Sequence, residues 1–144
     1  MLRLFFAGFG TVVTGTLIDG RLAAGQDVDV VPVGRPGKPL RSRVRGLQTH
    51  KKKEDAASPG TRVAVNLANV AVDDLMRGDV LTVPGWLEPT SLMDVRLRVI
   101  AGAAQPLAHN AAVTVHSGAA EVEARVSLLQ ADVLAPGQAA WAQL

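Results

Sequence analysis

The sequence predicts an all-β protein made of two small β-barrels in tandem. Apolar and polar residues alternate with period two in several segments, which is typical of half-buried strands. Runs of β-branched residues end at turn-forming pairs such as Asp19-Gly20 and Pro36-Gly37. No stretch carries the apolar stripe of about 11 residues or more that marks an amphipathic helix. Many short strands separated by turns favour barrels.

The first half of the chain holds most of the strong strand patterns. The clearest is the alternation in which Val63, Val65 and Leu67 share one face, while Arg62 and Asn66 share the other. The same reasoning predicts further strands and one short helix of about two turns. The strand candidates are 11–18, 28–33, 40–47 and 60–67, and the helix candidate is 70–76.

The second half is predicted to be an incomplete barrel. The segment 84–89 contains two prolines and a glycine, which disfavours a central strand there. We therefore expect one barrel over 1–84, a linker over 85–90 and part of a second barrel over 91–144. About 54 residues are few for a closed barrel of roughly six strands. The strands expected in this part are 92–100, 111–117, 120–130 and 139–144.

Composition and motifs argue against several classes of function. The 144 residues include no Cys and no apolar run of the roughly 20 residues that a bilayer span needs, and the first residues do not resemble a signal peptide. A cytoplasmic protein without membrane partners is the simplest interpretation. The sequence contains no phosphate-binding loop of the G-x-x-x-x-G-K-[ST] type, and the spacing of its three histidines suits no metal site. We expect no catalytic residues, no metal and no cofactor in this chain.

A basic segment lies between Arg35 and Lys53, where eight Lys and Arg residues occur without a single Asp or Glu. Within it, Arg41, Arg43 and Arg45 are predicted to share one face of a strand, spaced about 6.6 Å apart. Such a row suits the phosphates of a nucleic acid, although a solvated strand and loop would look the same. Aromatic residues are scarce, so a base-stacking surface is poorly supplied.

A second candidate site lies on the outer face of the strand at 60–67. Arg62 and Asn66 lie there with the small Ala64 between them, which leaves room for a ligand group. An ordinary exposed strand face remains the alternative for this pattern.

Several sequence strings resemble translation factors. The string G-F-G-T-V-V-T-G-T at 8–16 resembles the second domain of the elongation factor Tu family. The strings V-R-G-L-Q-T-H at 44–50 and G-T-R-V-A-V-N-L at 60–67 resemble selenocysteine-specific elongation factors more narrowly. In the second half, P-L-A-H at 106–109 and V-H-S-G at 115–118 resemble the third domain of those factors.

The resemblance implies a binding module that handles charged tRNA. In this family Arg62 would line the pocket for the selenocysteine side chain, and the segment from Gln48 to His50 would lie near the terminal adenosine. The GTPase domain, with its GTP and Mg²⁺, would lie outside these residues, and the further partners would be the ribosome and that GTPase domain. An Asp-Arg pair that the family places before the first strand has no match here.

Other functions stay open at this point. One alternative is the β-barrel domain of another translational GTPase. Another is the accessory barrel in the GTPase subunit of a sulfate-activating enzyme, where the basic segment would meet a protein partner. A purely structural barrel pair that transmits GTPase closure is the remaining alternative.

Overall fold

The computed structural model describes residues 2–5 and 10–144, and for residues 2–5 it describes the backbone alone. The chain divides into two compact units, one comprising Met1–Pro89 with Gly118–Ala120 and the other Thr90–Ser117 with Glu121–Leu144. Among the described residues, no helix has the length and apolar character needed to cross a membrane. Residues 8 and 9, which begin the string that resembles the elongation factor Tu family, fall outside the described residues.

One antiparallel sheet dominates the first unit. Seven strands join it in the order β1–β2–β8–β5–β4–β9, with β6 paired to β5, while β3 pairs separately with β7. The strands are β1 (Leu2–Phe5), β2 (Thr11–Thr16), β3 (Leu22–Ala23), β4 (Asp27–Val31), β5 (Leu40–Thr49), β6 (Lys52–Glu54), β7 (Ala56–Ala57), β8 (Arg62–Leu67) and β9 (Val80–Thr82).

The inner face of this sheet forms the core of the first unit. Strand β8 contributes Val63, Val65 and Leu67, which are 4%, 3% and 1% exposed. The neighbouring strands add Val13 and Leu47, at 2% and 1%. Burial of each Val or Leu side chain stabilises the fold by roughly 1.5–3 kcal/mol. The alternation of apolar residues thus fixes which side of β8 faces the core.

A β-bulge interrupts the pairing of β5 with β8. Val44 pairs with Leu67 and Gly46 pairs with Asn66, so Arg45 is an extra residue on β5. Because side chains alternate along a strand, one extra residue exchanges the two faces. Val44 and Leu47 therefore both reach the core although three positions separate them, and both are 1% exposed.

The β5–β6 connection is a two-residue hairpin turn. His50 and Lys51 have φ values of 49° and 66°, and Thr49 pairs with Lys52 on either side of them. Two successive positive φ values define a type I′ turn, which usually contains Asn or Gly. Neither residue here is of that type, so the turn holds two side chains in a conformation that L-residues rarely adopt.

Gly10 directly precedes β2 and has a φ of +90°. A Cβ added there would stand 2.8 Å from Asn66 Oδ1 and 3.4 Å from Arg45 Nη1. Both the backbone conformation and the close approach of Asn66 therefore require glycine at this position.

A buried ion pair joins the β4–β5 connection to the loop before β9. The carboxylate of Asp79 is fully buried and accepts hydrogen bonds from both Nη atoms of Arg35 and from the Met76 N–H at 2.8 Å. Arg35 Nη2 also donates to the Asp74 carbonyl at 3.0 Å. Burial raises the pKa of Asp79, but the hydrogen bonds from Arg35 and Met76 outweigh it, so the pKa lies below its ordinary value.

The second unit is built from shorter strands. In its described part, β16 lies between β10 and β14, while β11 pairs with β15 and β12 pairs with β13. Its core contains Val126 and Ala142, both 0% exposed, together with Leu128 and Leu134. The strands are β10 (Asp94–Arg98), β11 (Leu107–Ala108), β12 (Ala112–Ser117), β13 (Ala120–Arg125), β14 (Ser127–Leu128), β15 (Val133–Leu134) and β16 (Ala139–Gln143).

The predicted all-β fold class is confirmed, whereas the arrangement as two barrels in tandem stays a prediction. The helix expected at 70–76 is wrong in extent: a single 3-10 turn spans Val72–Asp74. The Asp74 carboxylate caps the start of this turn by accepting from the Ala71 N–H, but beyond it the Met76 N–H donates to Asp79 instead of continuing a helix. The expected strand at 120–130 divides into β13 and β14.

We expect Asp79→Asn to lower the free energy of unfolding by about 1.5–3 kcal/mol near pH 7, because the charged hydrogen bonds to Arg35 are lost. A lowered pKa in the fold contributes stability above the ordinary Asp pKa of about 4, and that contribution disappears as the pH falls through the lowered value. The difference between wild type and variant should therefore shrink in acid. Urea unfolding over a range of pH measures it. Asp27→Asn, in an exposed ion pair, serves as the control and should change little. A difference that stays constant in strong acid would contradict the assignment.

We expect Gly10→Ala to destabilise the first unit by roughly 1–2 kcal/mol, because a Cβ at positive φ is strained and this one also meets Asn66. Gly15→Ala is the matched control, since a Cβ there meets nothing within 4 Å. Thermal unfolding of both variants tests the point, and equal stability of the two would show that Gly10 is not constrained.

Candidate functional site

The outward side of β2, β8, β5 and β6 brings several of the sequence-predicted site residues onto one surface. Arg62 pairs with Thr16, Ala64 pairs with both Thr14 and Gln48, and Asn66 pairs with Gly46. Residues that pair across antiparallel strands lie on the same side of the sheet. We call this surface the β8 face, and its members are Val12, Thr14, Thr16, Gly46, Gln48, Lys53, Arg62, Ala64 and Asn66.

Arg62 begins β8, and its side chain is exposed. Its Nη2 atom lies 3.5 Å from Thr14 Oγ1, a long hydrogen bond that orients the guanidinium along the β8 face. Among the described residues, the structure shows no ion pair to Arg62. Its positive charge is therefore not neutralised within the described part of the chain.

Asn66 and Arg45 occupy the other end of the β8 face. Asn66 is half-buried, and its Oδ1 lies beside Gly10. The Nη1 atom of Arg45, the extra residue of the bulge, approaches the same point. The small Ala64 lies between Asn66 and Arg62, so a cation lies near each end of this row.

Arg41 and Arg43 each form an ion pair within the protein, so their charges are less available to a ligand than the sequence suggests. Each pairs with an aspartate of β4 directly across the strand: Arg41 Nε lies 2.7 Å from Asp29 Oδ1, and Arg43 Nε lies 2.7 Å from Asp27 Oδ1. The hydrogen bond from Arg43 lowers the pKa of Asp27 and raises that of Arg43. The Gly85 N–H and Arg41 together hold the pKa of Asp29 below its ordinary value.

Arg41, Arg43 and Arg45 share the exposed side of β5, as the alternation predicts. Two carboxylates neutralise Arg41 and Arg43, whereas Arg45, the extra residue of the bulge, forms no ion pair among the described residues. The spacing Asp27-x-Asp29 matches Arg41-x-Arg43 and could have indicated the pairing, had the β4–β5 register been known. A third member of the basic segment, Arg35, pairs with Asp79.

The remaining predicted residues lie near the β5–β6 turn. Gln48 is exposed on the β8 face, and His50 is exposed in the turn itself. Lys53 pairs with Gln48 and therefore lies on the same surface. The sequence alone does not assign Lys53 to a face. Among the described residues, no cluster of His, Asp or Glu could hold a metal ion.

Two histidines of the second unit lie in the strings that carry the resemblance to third domains. His109, the residue that follows β11, has its Nδ1 atom 3.2 Å from the carbonyl oxygen of Leu128 in β14. His116 is exposed on β12. His109 therefore has a local structural contact, whereas His116 faces solvent.

Comparison with known proteins identifies relatives of this chain. The profile of the family described as Elongation factor Tu domain 2 matches residues 10–82. A selenocysteine-specific elongation factor from Desulfomicrobium baculatum is 41% identical over 137 residues, which is 95% of this chain and 21% of that protein. An elongation factor 1-alpha from Pyrobaculum aerophilum is 37% identical over 93 residues, or 65% of this chain and 20% of that protein. Elongation factor Tu 2 from Streptomyces avermitilis is 31% identical over 138 residues, or 93% of this chain and 34% of that protein.

The chain thus spans between a fifth and about a third of the length of these relatives. The family profile itself covers the strands from β2 to β9, including every strand that forms the β8 face. With half of its 144 residues matched in this way, the chain belongs to the elongation factor Tu domain 2 family.

Proposed function

We propose that this chain is the aminoacyl-tRNA-binding module of a selenocysteine-specific translation elongation factor. The proposal rests on the resemblance of its strings, on the 41% identity to the Desulfomicrobium baculatum factor and on the chemistry of the β8 face. Its partners would be selenocysteinyl-tRNA, the ribosome and a GTPase domain of the same polypeptide, which would hold GTP and Mg²⁺.

The observation that carries the proposal is the exposed Arg62 without a carboxylate partner among the described residues. A selenol is a stronger acid than a thiol, whose pKa is about 8.5. Near neutral pH the selenocysteine side chain is therefore mostly anionic, whereas the serine hydroxyl is neutral. A fixed guanidinium favours the anion, so Arg62 would distinguish the selenocysteinyl form of the tRNA from its seryl precursor.

Other members of the β8 face have complementary roles in this proposal. Asn66 lies on the same side of β8 as Ala64 and would contact the ligand there, and Gln48 and His50 lie toward the hairpin turn, where they would contact the terminal adenosine. Arg45 supplies a cation at the Asn66 end. Arg41 and Arg43, each held by an aspartate, would contribute less to RNA binding than the basic segment suggests.

A second candidate is a module that binds aminoacyl-tRNA without reading the amino-acid side chain. The relatives named elongation factor 1-alpha and Elongation factor Tu 2 favour it, since they match 93 and 138 residues of this chain at 37% and 31% identity. The two candidates differ in whether affinity depends on the esterified amino acid.

We expect Arg62→Ala to weaken binding of selenocysteinyl-tRNA by about tenfold to somewhat over a hundredfold, because one charge-assisted contact of roughly 1.5–3 kcal/mol is lost. Binding of seryl-tRNA should change little. Filter binding under reducing conditions, at protein concentrations high enough for weak complexes, measures both affinities. Arg98→Ala, an exposed arginine of the second unit, is the matched control. An equal loss for both tRNAs would show that Arg62 does not read the side chain.

Cysteinyl-tRNA offers a test that depends on pH. We expect its affinity for the wild type to rise as the pH passes about 8.5, because the thiol becomes a thiolate that can contact Arg62. Seryl-tRNA, which has no group titrating there, reports the background change. An amide-linked analogue avoids hydrolysis of the ester, and Arg62→Ala should abolish the difference between the two tRNAs. A rise that persists in Arg62→Ala would assign the effect to another group.

A further inference from the structure

We propose that Lys53 is a phosphate-binding residue of the β8 face and that its neighbour Lys52 is not. This inference deepens the proposed function, because it names one contact to the RNA backbone at the same surface. Sequence alone cannot choose among Lys51, Lys52 and Lys53, which are adjacent and carry equal charge. The structure separates them by the register of the β5–β6 hairpin.

The hairpin turn fixes that register. With His50 and Lys51 as the two turn residues, Thr49 pairs with Lys52, Gln48 with Lys53 and Leu47 with Glu54. Successive residues of a strand lie on opposite sides of the sheet. Lys53 therefore shares a side with Gln48, while Lys52 shares a side with Thr49.

The same register continues across β5 to β8. Gln48 pairs with Ala64, in the centre of the β8 face, whereas Thr49 pairs with Val63, which is 4% exposed in the core. Lys53 thus lies in one row with Gln48 and Ala64, about two strand spacings or 9.6 Å from Ala64. Lys52 lies in the row of Thr49 and Val63, on the opposite side of the sheet.

Among the described residues, the ion pairs of the basic segment involve neither Lys52 nor Lys53, so the choice between these two lysines rests on the register alone. Arg35, Arg41 and Arg43 each form an ion pair with an aspartate. Lys53 is exposed, and it forms no ion pair in the described part of the chain. Glu54 follows it on the opposite side of the strand and is half-buried.

The ligand that suits this position is a phosphate of an RNA backbone. A lysine ammonium is a flexible point charge with three donors, which favours contact with a phosphate oxygen over reading of a base edge. The two positive φ values of the turn hold Lys53 on this face through a conformation that is costly for His50 and Lys51. A longer and more flexible loop would carry the same charges without assigning them to a side.

The test compares Lys53→Gln with Lys52→Gln. Both remove one charge from adjacent exposed positions, and only the former changes the β8 face. The probe is the charged tRNA, and its affinity is measured against salt concentration. Because one phosphate contact to a single strand contributes about 0.7 to the slope of log affinity against log salt, we expect Lys53→Gln to reduce the slope by about that amount. A fourfold increase in salt would then weaken the wild type about 2.6-fold more than Lys53→Gln.

Each result has a defined meaning. A reduced slope for Lys53→Gln with an unchanged slope for Lys52→Gln supports the assignment. Equal reductions for the two variants would overturn it, because the effect would then be general attraction. Unchanged slopes for both, with the Arg62→Ala discrimination intact, would overturn the role of Lys53 and leave the proposed function standing. Failure of the wild type to bind charged tRNA at all would overturn both.

Discussion

The pairing of β8 on both of its edges is the constraint on which the site depends. Strands β2 and β5 bind β8 from either side, and Val63, Val65 and Leu67 anchor its inner face in the core. A shift of one residue would bring these apolar side chains to the solvent and bury Arg62 and Asn66 instead. The core therefore determines the chemistry of the opposite face, since the same register that buries three apolar residues exposes the polar ones between them.

The bulge in β5 divides the basic segment into two electrostatic groups. Before it, Arg41 and Arg43 face aspartates of β4; the Arg43–Asp27 pair is exposed and adds little stability, whereas Asp29, the partner of Arg41, is buried. The larger effect of the two pairs is on the electrostatic potential outside the protein, because two of the positive charges are neutralised locally. At the bulge itself, Arg45 lies beside Gly10 together with Asn66 of the β8 face. Electrostatic attraction of a polyanion would therefore be directed toward the β8 face rather than toward the β4–β5 hairpin.

Sequence patterns predicted the elements whose side chains alternate over five or more residues. They identified β8, β10 and β16 and the two sides of β8, because period two is a local property of the chain. They missed β3, β7, β11 and β15, which have two residues each and are defined by distant partners. The bulge and the Asp27–Arg43 pair were missed for the same reason, since both depend on register between strands. For the site, sequence supplied the residue types, and only the register assigned them to a face.

The exposure of Arg62 has a consequence for how any discrimination between anionic and neutral side chains would arise. Two unit charges 4 Å apart attract by about 1 kcal/mol in bulk water, but by about 4 kcal/mol near a protein surface with an effective dielectric constant of 20. Tenfold discrimination needs about 1.4 kcal/mol, which exceeds the value in water. Under the proposed function, the bound tRNA end or a neighbouring domain must therefore exclude solvent from Arg62. Discrimination would then depend on how well the guanidinium is covered in the complex, as well as on its presence in the chain.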